Sequence, residues 1–239
     1  MQTPIEITFQ VHGIGPLHIG TGFRRGLLHR TVARDGAGHV YIPGSSLKGK
    51  VRNACEDMAK LHGLPVCGSA LPGMMCGSKP EACIVCRIFG SPGLSAPLFW
   101  HDAHLTDDLC ALAREEGRFG QAEARTQVQM SRLRGVGADD RLYTTETARA
   151  GLTFEGRIEG WLAGVPLDST VPGLTYELVL LIAGLYALDG LGGNRSRGGG
   201  DGRIQAIKCK VGEESVDVDL GRVEELMLYT EALAERRSA

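Results

Sequence analysis

The chain has 239 residues, 43% of them hydrophobic and 23% charged, and a formal net charge of −2. This composition excludes wholesale disorder and supplies a buried core, and no apolar run is long enough to span a membrane. With no signal-peptide layout in MQTPIEITFQ, a cytoplasmic location without membrane attachment is expected. In that compartment seven cysteines, an odd number, read as free thiols or metal ligands and not as a disulfide framework.

IEITFQV alternates Ile5, Ile7, Phe9 and Val11 with polar residues, the period of a half-buried strand. Glycines and a proline in GIGPLHIGTG break that regularity. Arg34 to Ile42 read as two short strands about a turn at Asp35-Gly36. Pro43-Gly44 then gives way to a helix capped by Ser45 or Ser46, carrying Leu47, Val51, Met58 and Leu61 on one side and stopping at Gly63. Residues 64–96 are rich in Gly, Pro and Cys without sustained periodicity, as expected of an insertion that needs its own staple. PLFWHDAHL follows as a strand, and residues 117–152 as an extended loop or hairpin. TFEGRIEGWL is strand-like with Phe154, Ile158 and Leu162 on one face. TYELVLLIAGLYALDGL is a strongly apolar helix, RIQAIKCKV a strand bulged near Ala206, and a last helix is expected near Arg222.

Strand, helix, strand, strand, helix, strand is the order of an α+β, ferredoxin-like (RRM-like) arrangement. With neither an internal repeat nor a linker, residues 1–239 are read as one domain.

Charge is segregated although the total is near zero. Arg24, Arg25, Arg30, Arg34, Lys48, Lys50 and Arg52 face a single Asp35 in their stretch, and Arg118, Arg125, Arg132 and Arg134 face Glu123. A basic face on a near-neutral chain is the footprint of a polyanion binder, although a solvated surface can be patchy by chance.

GLGGNRSRGGGDGRIQ places Arg195 and Arg197 in a glycine-dense loop between a helix end and a strand. That is the wrong topology for a Walker loop or a dinucleotide fingerprint, both of which open a helix. Its backbone N–H groups can still form an anion nest, with the two guanidinium groups as forks. In YIPGSSLKGKVRNACE, cations occupy the first helical turns, where the dipole favours acids by about 0.3–1 kcal/mol each. Such a choice suits a helix end that holds an anion, with Ser45 and Ser46 as further donors.

GPLHIGTG, YIPGSSLKGKVR, CIVCRIFGSP and LGGNRSRGGGDGRI resemble, in that order, the hallmark stretches of the RAMP superfamily. More narrowly they are similar to the backbone subunit of type III CRISPR effector complexes, from about Phe9 to Ile207. The intervening RTQVQMSRLRGVGADDRLYTTETARAGLTFEG resembles the family's thumb. The resemblance implies a RAMP palm with a thumb-like insertion at 117–152 and a Cys-rich insertion at 64–96. It also implies copies stacked along a guide RNA with complementary target RNA, alongside other CRISPR effector subunits. His18, Ser45, Ser46, Lys48, Lys50, Arg52, Asn194, Arg195 and Arg197 would then face guide phosphates and riboses, with Arg132 and Arg134 near the thumb base as further contacts. Such contacts grip backbone without reading bases.

Cys67, Cys76, Cys83 and Cys86 have the spacing C-x8-C-x6-C-x2-C. Four thiolates could close a structural zinc site, the short Cys83-x-x-Cys86 chelate being typical, and His62 could replace one thiol. Buried free cysteines are the alternative. RNA-cutting members of the family carry an aspartate in the loop after the first strand. Counting back from Asp35 through LLHRTVARD puts His29 there, and neither Asp nor Glu occurs between Gly13 and Arg34. An imidazole can act as a general base, whereas Mg²⁺ prefers carboxylate oxygen. The leading expectation is therefore a guide-RNA-binding subunit with no catalytic residue beyond the weak candidate His29, and Mg²⁺ only if it cuts. The alternatives are an endoribonuclease acting through His29 or Asp35, and a stand-alone precursor-RNA processing enzyme using His12, His18 or His29.

Overall fold

The computed structural model describes residues 2–20, 22, 26, 28–68, 71–77, 82–116, 120–167 and 173–238. In chain order the elements are β1 (Thr3–Gly13), β2 (Tyr41–Ile42), α1 (Gly44–Leu61), α2 (Ile84–Phe89), β3 (Leu98–Trp100), β4 (Ala103–Leu105), α3 (Asp107–Glu116), β5 (Ala122–Met130), β6 (Gly137–Ala148), β7 (Thr153–Leu162), α4 (Tyr176–Tyr186), β8 (Gly202–Val211), β9 (Glu214–Val216) and α5 (Tyr229–Ser238). Mixed helices and antiparallel sheet make the chain α+β. The main sheet runs β2-β4-β7-β1-β8-β9, with β3 also paired to β7, and β5-β6 form a separate hairpin.

The alternation in IEITFQV places β1 at the sheet's centre. Ile5, Ile7, Phe9 and Val11 are buried, while Glu6, Thr8 and Gln10 lie half-buried on the opposite face. Burying each such side chain contributes about 1.5–3 kcal/mol. Phe154, Ile158 and Leu162 of β7 point to the same core. The bulge expected near Ala206 is present: Ala206 takes φ +52°, and the β1–β8 register shifts between Thr8 and Gln10.

Every residue of α4 from Tyr176 to Leu185 is buried. Its N-cap is Thr175, whose hydroxyl accepts the Leu178 N–H. Gly184 lets α1 approach closely, because a Cβ there would overlap the Cys55 sulfur. The carboxylate of Glu177, fully buried, accepts the Val165 N–H at 2.7 Å and pairs with Arg87 Nε at 3.1 Å, and the Tyr229 hydroxyl donates to it at 3.3 Å. Burial pushes its pKa up, against the pull of Arg87.

Three local expectations are corrected. Neither Ser45 nor Ser46 caps α1: Pro43 is the N-cap without a side-chain bond, and Asp102 accepts the Gly44 N–H at 2.8 Å instead. Leu61 is 83% exposed, the buried stripe of α1 being Leu47, Val51, Cys55 and Ala59. PLFWHDAHL is not one strand; it breaks into β3 and β4 because His101 and Asp102 turn aside, the latter to that helix end. The C-terminal segment begins at Leu220 as a 3₁₀ stretch to Leu228 before α5. Among the described residues no helix is long and apolar enough to cross a membrane.

Candidate nucleic-acid interface and cysteine centre

The glycine loop and the segment after β1 are built against each other. The Gly193 N–H donates to the His18 carbonyl at 2.9 Å, Gly200 N–H to Pro16 at 2.8 Å, and Gly15 N–H to Asp201 at 3.0 Å. Leu191 N–H closes the loop onto Gly200 at 2.8 Å. Asn194 enters the αL region at φ +64°, and Arg195–Arg197 form one 3₁₀ turn ending at Gly198. Glycine and Asn are the residues that tolerate such backbone.

His18 is only 7% exposed, and its Nδ1 lies 2.7 Å from the Glu146 carbonyl on β6. A carbonyl only accepts, so Nδ1 carries a proton and donates it to this bond. Glu146 also organises the segment leading to β2: its carboxylate accepts from Val32 N–H at 3.0 Å and pairs with Arg34 at 2.7 Å. The β5-β6 hairpin is thereby fixed beside the glycine loop.

Between them lies a cleft lined by His18, Asn194, Arg197, Arg125, Gln127 and the threonines at 145 and 147. It opens into a groove of about 750 Å³ along the hairpin, where Arg132 and Tyr143 join Arg197. Arg197 donates to the Tyr143 hydroxyl at 2.5 Å. Arg125 is paired with Glu123 and Arg195 with Asp189, the latter at 2.7 Å, so Arg195 turns out of the cleft. Arg132 and Arg134, expected near the thumb base, instead lie in the turn between β5 and β6 at the hairpin tip, because the strands pair up to that turn. Arg134 is exposed there beside Leu133, which is 96% exposed. Arg24, Arg25 and Arg118 lie outside the described residues.

The opening of α1 lines a different cavity. Ser45 and Lys48 face a space of about 860 Å³ with Phe99, Arg157 and Trp161. Burial and the nearby Arg52 lower the Lys48 pKa. Ser46 is exposed and Lys50 half-buried on the same helix. The glycine loop reaches this helix through hydrogen-bonded segments in series: residues 16–18, then Ile19 to Ala33 at 2.9 Å, then Ala33 to Tyr41 at 3.3 Å. The two cationic sites therefore share a frame, though not a cavity.

Arg52 is turned inward. Its guanidinium donates to Glu56 at 3.0 Å, to the Gly90 carbonyl at 2.9 Å and to Cys86 Sγ at 3.4 Å. Cys86 belongs to a group with Cys67, Cys76 and Cys83, whose sulfurs all lie within 4.8 Å of one another. Cys67 is 3.5 Å from Cys86 and 4.0 Å from Cys83. Metal–sulfur bonds near 2.3 Å make the edge of a tetrahedron about 3.8 Å, so the spacing fits one metal ion held by four thiolates. The Cys83 N–H donates to Cys76 Sγ at 3.3 Å, and Arg52 supplies a positive charge beside the thiolates, as outer-shell partners do. Burial holds the Cys83 and Cys86 thiols above their ordinary pKa. His62, the C-cap of α1, is not among the gathered ligands. Tyr229, Thr230 and Leu233 line a cavity over the cluster.

His29 is exposed and tied to β6, its Nδ1 accepting the Thr144 N–H at 3.1 Å and its own N–H donating to the Thr144 carbonyl at 2.9 Å. Asp35 faces His39 and His104 at 3.9 and 3.7 Å, and His12 bonds Thr153 at 3.1 Å. Sequence reasoning missed Asp102, Glu146, Tyr143 and the hairpin threonines. None carried a sequence signal, because residues 143–147 (YTTET) are all polar and no alternation marks which of them face inward.

A fold of this topology, with a glycine loop seated on the segment after its first strand, defines a class that comparison with known proteins identifies. The RAMP superfamily model matches residues 11–201, and the chain belongs to that superfamily. A protein of Methanocaldococcus jannaschii described as CRISPR system Cms endoribonuclease Csm3 is 30% identical over 189 residues, 75% of this chain and 69% of that one.

Proposed function

We propose that this chain is a guide-RNA-binding backbone subunit of a type III CRISPR antiviral ribonucleoprotein, a cytoplasmic particle. The observation that carries the reading is the joint between the glycine loop and residues 16–18, which sets Asn194 and Arg197 beside the hairpin's Arg125 and Arg132 in a RAMP chain. The strand order β4-β7-β1-β8, with α1 and α4 inserted as in a split βαβ unit, is taken as a ferredoxin-like palm. Residues 1–239 form one RAMP domain in this reading, with 64–96 as the Cys-rich insertion and the hairpin within 117–152 as the thumb. The four cysteines hold structural zinc. Lys48, Lys50, Arg132, Arg134, Asn194, Arg195 and Arg197 meet phosphates, with Ser45 and Ser46 as neutral donors. Arg52 and His18 support this surface from beneath. Partners are guide RNA, complementary target RNA, further copies of the chain and other effector subunits.

The test is binding of single-stranded RNA by the purified chain across about 50–200 mM salt. Neutralising roughly four phosphates gives a log–log slope near −3. A flat profile refutes the reading.

One observation favours a second activity: the similar archaeal protein is described as an endoribonuclease. Under that reading His29 stands at the cleavage position. Regularly spaced cuts in complementary RNA with Mg²⁺, abolished by His29→Ala, would establish it; intact RNA leaves the subunit a binder.

A further inference from the structure

Five buried side-chain polar atoms among the described residues have no hydrogen-bond partner, and three of them, Thr145 Oγ1, Thr147 Oγ1 and Gln127 Oε1, line one niche. Thr145 is 1% exposed and Thr147 5%. The hairpin register explains why they meet: Gln127 lies opposite Tyr143, Arg125 opposite Thr145 and Glu123 opposite Thr147. Directly opposed residues of an antiparallel pair share a face, and this face looks at Asn194 and Arg197 of the glycine loop. Buried hydroxyls are normally paired, and leaving them unpaired is unfavourable, so three in one place ask for a partner from outside the chain.

Size and polarity narrow what that partner is. The niche holds about 20 Å³, room for one water-sized group and too little for a phosphate or a base. Gln127 Oε1 only accepts, so the entering group must bring a donor, which a phosphodiester oxygen lacks. Threonine hydroxyls can donate to it or accept from it. The niche also adjoins the hairpin groove, because Gln127 and Arg197 line both. A strand lying in the groove, its phosphates near Arg132 and Arg197, can therefore project a small group inward.

We propose that Thr145, Thr147 and Gln127 form a receptor for a ribose 2′-hydroxyl, which makes this cleft selective for RNA over DNA. This rests on the RNA-binding reading above and adds the chemical group that is recognised. A 2′-hydroxyl is the donor-and-acceptor by which a protein distinguishes the two nucleic acids at a given site.

The experiment measures binding of the full chain to a single-stranded RNA, the DNA of the same sequence, and the 2′-O-methyl RNA. The wild type prefers unmodified RNA. Thr145→Val with Thr147→Val lowers RNA affinity by about fivefold per hydroxyl, leaves DNA affinity and salt slope unchanged, and holds or raises the melting temperature of the unliganded protein. Thr145→Ser with Thr147→Ser keeps the preference. Equal losses for RNA and DNA overturn the proposal. So does a lowered melting temperature with the RNA preference intact, which marks hydroxyls that bind a structural water. Salt-dependent binding without discrimination removes this inference and leaves the RNA-binding reading standing; no binding to any of the three probes removes both.

Discussion

Gly192 and Gly198 offer a controlled comparison within one loop. Both have left-handed backbone, at φ +79° and +76°. A Cβ at Gly198 meets nothing within 4 Å, whereas one at Gly192 overlaps the His18 carbonyl. Alanine in that region costs about 1–2 kcal/mol, and a less flexible unfolded chain returns roughly 0.4–1 kcal/mol of it. Gly198→Ala should therefore destabilise by about 1.6 kcal/mol or less, lowering the melting temperature by at most about 6 °C in a protein of this size. Gly192→Ala must also expel the His18 carbonyl from the 2.9 Å bond it receives from Gly193. Losing that bond and stranding its partners adds about 2 kcal/mol, for a further fall of roughly 4–8 °C beyond that of Gly198→Ala. Because His18 also holds Glu146, the same change should weaken RNA binding by loosening the hairpin from the loop. Calorimetry and RNA titration of both variants provide the measurement. Equal melting shifts for the two would refute the idea that this contact joins the loop to the hairpin.

Elemental analysis should find about one zinc per chain, lost in Cys83→Ser together with thermal stability while the RNA salt slope survives. Arg52→Met should speed zinc release to a chelator by about tenfold or more; unchanged release with a shallower RNA salt slope would instead make Arg52 a phosphate contact. Arg197→Ala should reduce the RNA salt slope by about 0.7, and Arg195→Ala by less, since Asp189 already holds that guanidinium. Glu177 has a raised folded-state pKa, so its contribution is complete below the usual carboxylate value near 4.3 and is lost as pH rises through the raised value. Glu177→Gln should accordingly gain stability relative to wild type as pH climbs through that window, and pH-dependent melting curves that stay parallel would exclude it.

Side-chain periodicity carried the sheet: the alternation in β1, the apolar face of β7 and the irregularity at Ala206 were all legible because each is written in neighbouring residues. The break at His101–Asp102 was not, since it depends on Asp102 turning to a helix end 58 positions earlier in the chain. The same limit applied at the site. Glycine density and paired arginines marked the loop, but the partners of His18 and the two roles of the arginines are long-range facts. Arg197 meets Tyr143 from 54 positions away, and Arg52 meets Cys86 from 34. Cationic character alone could not separate a residue aimed at a ligand from one that donates to a buried cysteine sulfur. The four cysteines were legible as a set because local chelate spacing limits how they can meet.

The central position of β1 has a consequence for biogenesis. Its two neighbours, β7 and β8, come from the far half of the chain, Ile5 pairing with Gly160 on one side and Val211 on the other. At about 5–20 residues per second, roughly 10–40 s separate synthesis of this strand from synthesis of its second partner. For that interval an apolar ribbon has both edges open on the ribosome, a hazard that chaperones exist to cover.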